Sequence, residues 1–310
     1  MLYIINLCCN KFQVKESGEI YAKTKNWFIG IGVMGKSMAD NLLKAGYEVM
    51  VYTRTKQKAE SLLAKGAKWF DSAKALAQNV DVIISMVGYP QDVAEIYLGE
   101  NGVIKNLKPQ SIIIDMTTSS PKLAQEIYQE AQKYEIKSLD APVSGGDVGA
   151  KNGTLAIMVG GDKEVYEEVL PIFEAMGKTI CYFGKAGSGQ YAKMSNQIAI
   201  ASNMMGVCEA VAYAKKCGLN PQDLLDVIST GAAGSWSLSN LAPRMLKGDF
   251  APGFFIKHFI KDMKIAIESA DEMNLDLPGL KLAKSLYEKL AKEGYENNGT
   301  QALLKYYDAE

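Results

Sequence analysis

The segment from Phe28 to Arg54 constrains the fold of this chain more than any other. An apolar strand ends at Ile29, three glycines follow as G-x-G-x-x-G, an amphipathic helix runs to Gly46, and Val49 to Tyr52 supply a second strand. Glycines in this strand–turn–helix–strand order bind dinucleotides in doubly wound sheets. The order therefore predicts an α/β fold with a Rossmann-type doubly wound sheet.

Each glycine of the motif has a separate role in this prediction. Gly30 permits a tight turn, Gly32 lets the backbone approach a pyrophosphate, and Gly35 lets the helix pack closely on the strand. The helix N-terminus directs free N–H groups at the anion. The residues predicted to contact the cofactor here are Gly30, Ile31, Gly32, Val33, Met34 and Gly35.

The end of the second strand indicates which dinucleotide binds. The turn Thr53-Arg54-Thr55 is basic and Lys58 follows it, where an NAD site usually places an acid to hold the ribose hydroxyls. Arginine forms strong, charge-assisted hydrogen bonds with phosphate. We therefore predict a preference for NADP(H), with NAD(H) use possible; the alternative is a solvated basic turn without a ligand.

Two further strands end in segments that we expect to meet the cofactor. The buried strand DVIISM ends in Met86, Val87 and Gly88, and the strand ending at Asp115 leads to Thr118. Ligands of open α/β sheets bind at the carboxyl ends of strands. We expect cofactor contacts from these residues. We expect the serines that follow, at 119 and 120, to cap the next helix instead.

Composition excludes several other classes of function. The chain has 310 residues and a net charge of −1, so no charge excess indicates nucleic acid or an anionic membrane as a partner. No apolar run reaches the roughly 18 to 20 residues that span a bilayer. The five cysteines form no C-x-x-C pair, which favours reduced thiols in a cytoplasmic protein. The single histidine, His258, is expected to be structural, and we predict no metal site.

The pattern divides the chain into three parts. Residues 1–26 do not fit the fold and form an unmatched extension, residues 27–188 form the NADP-binding domain, and residues 189–310 form an all-α domain for substrate binding and oligomerisation. We expect helices over 190–217, 221–230, 239–247, 256–273 and 278–293. The first of these is so apolar that we expect a partner subunit to cover part of it, in a homodimer or homotetramer.

Two stretches carry candidate chemistry on a substrate. Ser144-Gly145-Gly146 leaves backbone N–H groups uncovered, which suits a carboxylate, although such glycines also serve plain loops. Lys193 lies among apolar residues, and Asn196 and Gln197 share its helix face. Burial lowers the pKa of a lysine and suits it to donate a proton to a carbonyl that is being reduced. The alternative is a solvated helix lysine.

Four stretches in this order resemble the β-hydroxyacid dehydrogenase family. They are GIGVMGKSMADNLLKAG, DAPVSGGDVGAKNGTL, GSGQYAKMSNQ and FIKHFIKDMKIA. The resemblance runs from about Phe28 to the C-terminus. Members include 3-hydroxyisobutyrate dehydrogenases, tartronate semialdehyde reductases and glyoxylate/succinic semialdehyde reductases. One departure is Asn26-Trp27, which stands where members usually have Ile-Gly, and we expect a Trp at the position of a small residue to disturb local packing.

The resemblance implies roles for individual residues. Lys193 matches the catalytic lysine, assisted by Asn196 and Gln197, and Ser144 to Gly146 match the turn that binds the substrate carboxylate. Thr118 would contact the nicotinamide, and Lys261 and Asp262 match a motif that contacts the cofactor. Trp236 and Phe254 would line the substrate pocket.

The residues and the resemblance together predict an enzyme that acts on CH–OH groups. We expect a small carboxylate-bearing aldehyde or ketone as substrate, such as tartronate semialdehyde, glyoxylate, succinic semialdehyde or methylmalonate semialdehyde. Two alternatives are an imine reductase, a class that usually lacks the lysine, and a nucleotide-binding sensor without turnover. Either would contradict the role given to Lys193.

Overall fold

A mixed β-sheet forms the N-terminal half of the protein. The structure is a computed structural model that describes residues 25–53, 55–70 and 80–308. Within those residues the sheet has nine strands. They are β1 Lys25–Ile29, β2 Glu48–Tyr52, β3 Lys68–Trp69, β4 Val82–Ser85, β5 Ile112–Asp115, β6 Lys137–Asp140, β7 Val143–Ser144, β8 Leu155–Gly161 and β9 Gly177–Gly184.

Six of the strands form a parallel sheet in the order β3-β2-β1-β4-β5-β6. Every residue of β4 and β5 is buried. Strands covered by helices on both faces read as continuous apolar runs, which explains the sequences VIIS and IIID. The strand order reverses between β1 and β4, and ligands bind at such a switch point. The predicted Rossmann-type fold class is confirmed.

The last three strands were not predicted in this arrangement. β8 runs antiparallel to β6 and β7, and β9 pairs with β8 in parallel. Glycines in β8 interrupt its apolar pattern because other groups approach its backbone closely. A Cβ at Gly160 would lie 2.7 Å from Asp140 Oδ1 and from the backbone nitrogen of Gly189. This glycine-rich stretch is therefore a strand that lies against the backbone of Ser188 and Gly189.

Helices cover the sheet and form the C-terminal half. Those on the sheet are α1 Val33–Lys44, α2 Glu60–Leu63, α3 Pro90–Leu98, α4 Pro121–Gln132, α5 Gly146–Asn152 and α6 Lys163–Glu174. Those that follow are α7 Ser188–Lys216, α8 Pro221–Ile228, α9 Trp236–Asn240, α10 Ala242–Leu246, α11 Ile256–Glu272, α12 Pro278–Leu290 and α13 Leu304–Asp308. Short 3-10 turns lie at Lys56–Ala59, Ile104–Asn106 and Thr300–Leu303, and a π-type turn spans Ala291–Tyr295.

The 29-residue helix α7 forms the axis of the C-terminal half. Its apolar residues share one core with those of α11 and α12, including Met204, Phe259 and Tyr287. The single helix expected over 239–247 is instead two short helices, because the helix is interrupted at Leu241, between α9 and α10. None of the helices in the described part of the chain has the length and apolarity needed to cross a membrane.

The first strand begins earlier than the sequence indicated. β1 starts at Lys25, so Asn26, which was predicted to belong to the extension, pairs with β2 and β4. Trp27 is fully buried and its ring meets the ring of Tyr52 edge to face, with centroids 6.5 Å apart. The sheet therefore accommodates the Trp in an aromatic contact. Residues 1–24 lie outside the described residues.

Candidate active site

The glycine turn lies at the switch point of the sheet. Gly30 has φ of +93°, and a Cβ there would overlap the carbonyl oxygen of Met86. A Cβ at Gly35 would overlap the carbonyl oxygen of Gly30, so turn and helix are in backbone contact. A Cβ at Gly32 would meet no atom of the described residues within 4 Å. Only Gly32 therefore faces open space, where a diphosphate can approach the backbone.

The start of α1 fits an anionic ligand. Gly32 is the N-cap, no side chain caps the helix, and the first turn has no acidic residue. The first N–H groups are therefore available to an anion. Val33 is exposed, whereas Ile31 is buried in the core and Met34 packs against it. Of the predicted loop residues, Ile31 and Met34 thus use their side chains for packing, and their backbone alone lies in the turn.

The end of β2 presents polar and basic groups. Thr53 is half-buried, and Thr55 and Lys58 are exposed. Arg54, on which the prediction of NADP(H) rests, lies outside the described residues. Lys56 Nζ lies 5.4 Å from the centroid of the Trp69 ring, in a cation–π arrangement.

A buried polar cluster joins the loops after β4 and β5. Val87 N donates to Thr117 Oγ1 at 3.0 Å, and Thr117 N donates to Asp115 Oδ1 at 3.1 Å. Ser85 Oγ donates to the same Asp115 oxygen at 2.7 Å and lies 2.7 Å from the hydroxyl of Tyr97. Burial raises the pKa of Asp115 to about 6, although these hydrogen bonds oppose the shift. This cluster therefore fixes the loops that carry Met86, Val87 and Thr118, the residues predicted to contact the cofactor.

The two serines that follow Thr118 have different roles. Ser120 is the N-cap of α4 and accepts from Leu123 N at 3.0 Å, as predicted. Ser119 does not cap the helix. Its hydroxyl is buried without a hydrogen-bond partner among the described residues, and its backbone N–H donates to Gln190 Oε1 at 2.9 Å.

Lys193 lies in the first turns of α7 and is almost completely buried, with 6% of its surface exposed. Within the described residues its ammonium group forms no hydrogen bond and no ion pair. Burial lowers its pKa to about 8; the charge of Asp262 opposes this shift and that of Lys261 adds to it. Buried charges are usually paired, so this amine is available to a ligand.

A chain of contacts connects α7, which carries Lys193, with the loop after β5, which is predicted to contact the cofactor. Asn196 Nδ2 donates to Gln197 Oε1 at 2.7 Å, and Gln197 Nε2 donates to Asp262 Oδ2 at 2.6 Å. Lys261 Nζ lies 2.9 Å from Asp262 Oδ1, as an ion pair without hydrogen-bond geometry, and donates to Thr118 O at 2.7 Å. Five predicted site residues from three segments thus form one continuous network.

The predicted carboxylate turn meets the C-terminal domain. Gly145 and Gly146 both have positive φ, and a Cβ at Gly146 would lie 3.7 Å from Gly253 O. The next residue, Phe254, packs its ring on that of Phe259 with centroids 5.5 Å apart. Because Phe259 is on α11, the turn adjoins the helix that carries Lys261 and Asp262. Trp236 instead begins α9 with 68% of its surface exposed, and the structure gives it no contact with this network.

Three residues near the network were not predicted to take part. Asp140, at the end of β6, and Gln190, one turn before Lys193, are both buried. Asp140 accepts from the backbone N–H of Gln190, and the side chain of Gln190 donates to Thr117 O. A polar residue at a strand end and a glutamine within G-x-G-Q were the available signals. His258 is half-buried, and its ring lies 5.5 Å from that of Tyr89, beside Gly88. Burial and neighbouring lysines lower its pKa, in keeping with a structural role.

Comparison with known proteins assigns the family. The model of the NAD binding domain of 6-phosphogluconate dehydrogenase matches residues 27–184. The model of the NAD-binding domain of NADP-dependent 3-hydroxyisobutyrate dehydrogenase matches residues 187–307. The chain belongs to the β-hydroxyacid dehydrogenase family. This β-hydroxyacid dehydrogenase is therefore an oxidoreductase that uses a nicotinamide cofactor and acts on hydroxyl groups.

Relatives of this β-hydroxyacid dehydrogenase align over nearly their whole length. The uncharacterized oxidoreductase YkwC of Bacillus subtilis is 62% identical over 280 residues, covering 90% of this chain and 97% of the relative. The probable 3-hydroxyisobutyrate dehydrogenase-like 1 of Arabidopsis thaliana is 47% identical, covering 91% and 85%. The structure of Mycobacterium tuberculosis 3-hydroxyisobutyrate dehydrogenase with L-serine superposes with a TM-score of 0.85 at 31% identity, covering 91% and 98%.

Proposed function

We propose that this enzyme uses NADP(H) to interconvert a small carboxylate-bearing aldehyde or ketone and its hydroxy acid, with Lys193 as the acid–base group. The substrate class includes tartronate semialdehyde, glyoxylate, succinic semialdehyde and methylmalonate semialdehyde. The observation that carries the proposal is the buried ammonium of Lys193, which has no partner among the described residues.

The pKa of Lys193 suits both directions of the reaction. At about 8 it lies close to neutral pH, so both protonation states are accessible. An acid–base group is most effective when its pKa lies near the working pH. In reduction the ammonium donates a proton to the developing alkoxide, and in oxidation the neutral amine accepts it. The bound nicotinamide supplies or accepts the hydride.

Polar residues near Lys193 are held in place by hydrogen bonds and an ion pair to one another. Gln197 is hydrogen-bonded both to Asn196 and to Asp262, which fixes its amide in place. Asp262 is buried and paired with Lys261, so its charge acts on Lys193 across a medium of low polarity. We assign Asn196 and Gln197 the role of orienting the reacting oxygen, and Lys261 and Asp262 the role of holding the cofactor side of the site closed.

Substrate binding is assigned to the turn that adjoins Gly253. Ser144, Gly145 and Gly146 present a hydroxyl and backbone N–H groups to a carboxylate, and Phe254 supplies an apolar wall. Two anchored ends hold a carbonyl at a fixed angle, which lowers the entropic part of the barrier. Trp236, which the resemblance also assigns to the pocket, is exposed at the start of α9.

The first test removes the amine. Lys193→Ala should lower turnover by about 10²- to 10⁴-fold, the usual contribution of a general acid. NADPH binding, followed by fluorescence titration, should persist because the glycine turn is intact. Lys216→Ala, at the exposed far end of the same helix, is the matched control and should keep full turnover. Turnover of Lys193→Ala within twofold of wild type would refute the role.

The substrate is identified by a panel assay. Protein and NADPH are mixed with each small aldehyde acid or keto acid, and with an imine, while absorbance of the reduced cofactor is followed. Consumption with a carboxylate-bearing carbonyl supports the proposal. Consumption only with the imine supports an imine reductase, and tight NADPH binding without any turnover supports a sensor.

The preference for NADP(H) is supported by Arg54 in the sequence and by the NADP-dependent enzyme that gives the second family model its description. Arg54→Asp should weaken NADPH binding strongly and NADH binding little, because an acid repels the 2′-phosphate. Lys108→Asp, an exposed lysine elsewhere on the domain, is the control for net charge. Unchanged NADPH affinity in Arg54→Asp would contradict the assignment.

We also propose a homodimer or homotetramer. Large apolar side chains of the C-terminal half are exposed, among them Tyr213 on α7 and Trp236. Large exposed apolar patches mark contacts between proteins, and we propose that these side chains lie in such a contact. Light scattering after size-exclusion chromatography measures the state directly, and a monomer at micromolar concentration would contradict the proposal.

A further inference from the structure

Gln190 connects the two domains through its side chain. It is fully buried in the first turn of α7. Its Nε2 donates to Thr117 O at 2.8 Å, and its Oε1 accepts from Ser119 N at 2.9 Å. The amide therefore occupies the peptide groups on both sides of Thr118. A neutral amide supplies this donor and acceptor together at any pH, whereas an ionised carboxylate supplies acceptors only.

The backbone of Gln190 is fixed as firmly as its side chain. Gln190 N donates to Asp140 Oδ2 at 2.8 Å, and Gly187 N donates to Asp140 Oδ1 at 2.7 Å. Gly189 lies between them, and a Cβ there would overlap the carbonyl oxygen of Met158. The start of α7 thus cannot slide relative to β6 and β8 without losing charge-assisted hydrogen bonds.

Gln190 and Lys193 are three residues apart on α7, so they lie on the same helix face. On the cofactor side, Thr118 O accepts from Lys261 Nζ at 2.7 Å. The Thr117–Ser119 loop is therefore held by α7 through Gln190 and by α11 through Lys261. A shift of this loop relative to Lys193 requires loss of both hydrogen bonds to the Gln190 amide.

We propose that Gln190 is a positioning residue that sets the placement of the Thr117–Ser119 loop relative to Lys193. It touches neither reacting atom; it acts by holding the Thr117–Ser119 loop at one fixed position relative to α7. The inference rests on the proposed function of Lys193 and adds a residue to that site.

The test compares two replacements of similar size. Gln190→Met keeps the volume and removes both hydrogen bonds, and we expect kcat to fall by about 10- to 100-fold because small misplacements of reacting groups are costly. The NADPH dissociation constant should change little, since the glycine turn is untouched. Asn41→Leu is the matched control: it removes another buried hydrogen bond of a side-chain amide, Asn41 Nδ2 to Ala150 O at 2.7 Å, which lies within the N-terminal half. It should lower the unfolding temperature and leave kcat unchanged.

Gln190→Glu supplies a rescue that a purely structural role does not predict. An ionised glutamate faces Thr117 O with no proton to donate, whereas a protonated one presents O–H to Thr117 O and C=O to Ser119 N. Reductive kcat of this variant, divided by the wild-type value at each pH, should rise on acidification, and that of Gln190→Met should not. The charged groups around the loop are Asp115 and Asp140 from the sheet, Lys193 from α7, and Lys261 with its ion-pair partner Asp262 from α11. Division by wild type corrects for their titration.

Three results would overturn the inference: wild-type kcat in Gln190→Met, absence of acid recovery in Gln190→Glu, or an equal loss of kcat in Asn41→Leu. Failure of the proposed function is distinct, because it appears as retained turnover in Lys193→Ala. If Lys193 is essential and Gln190→Met is fully active, only the role of Gln190 is wrong.

Discussion

Asp140 and Lys193 are buried to nearly the same degree at the same domain junction, with 4% and 6% of their surfaces exposed, but their surroundings differ. Both carboxylate oxygens of Asp140 accept backbone N–H groups at the start of α7. The ammonium of Lys193 has no partner among the described residues. A buried charge with a complete set of partners fixes the chain, whereas one without partners is available to a ligand.

The largest effect is expected at the satisfied charge. Asp140→Ala leaves two buried N–H groups without acceptors, and it should lower the free energy of unfolding by about 3 kcal/mol. Urea denaturation measures the loss. Asp226→Ala, an exposed acid on α8, is the control and should stay near wild type. If both variants have the same free energy of unfolding, the hydrogen bonds to Asp140 do not stabilise the fold, and the contrast between Asp140 and Lys193 is wrong.

An intermediate effect is expected on the pH dependence of Lys193. Reductive kcat should fall as pH rises through about 8, because the ammonium is the acid, and oxidative kcat should rise over the same range. The negative charge of Asp262 raises the pKa of Lys193. Asp262→Asn should therefore move both breaks to lower pH.

Asp271→Asn, an exposed acid on the same helix, is the control for that shift. Its pH profile should coincide with that of wild type. A break that moves to higher pH in Asp262→Asn, or that does not move, would show that Asp262 does not act on the charge of Lys193.

The smallest effect is expected at an ordinary helix cap near the same loop. Ser120→Ala removes the acceptor for Leu123 N and should cost about 1 kcal/mol of stability without changing kcat. Ser239→Ala, within α9, is the control and should cost less. A large loss of kcat in Ser120→Ala would place this serine in the site and not only at a helix end.

Local sequence patterns located the parts of the protein whose chemistry is local. The glycine turn, the buried strands and the helix face that carries Lys193 are each defined by residues only a few positions apart in the sequence. The antiparallel strand β8 was missed because its glycines, Gly160 and Gly161, accommodate contacts made by distant segments. Asp140 and Gln190 were missed for the same reason: their partners lie 50 and 71 residues away in the chain. No spacing rule encodes such a pair.

Gly32 offers a practical route to a form of the enzyme that is folded but does not hold its cofactor. A methyl group at this position meets no atom in the part of the chain that the structure describes, so Gly32→Ala should fold normally while it obstructs a diphosphate. A methyl group at Gly35 would instead overlap the backbone of the turn. Crystals of Gly32→Ala soaked with hydroxy acids would then report substrate affinity separately from nucleotide affinity.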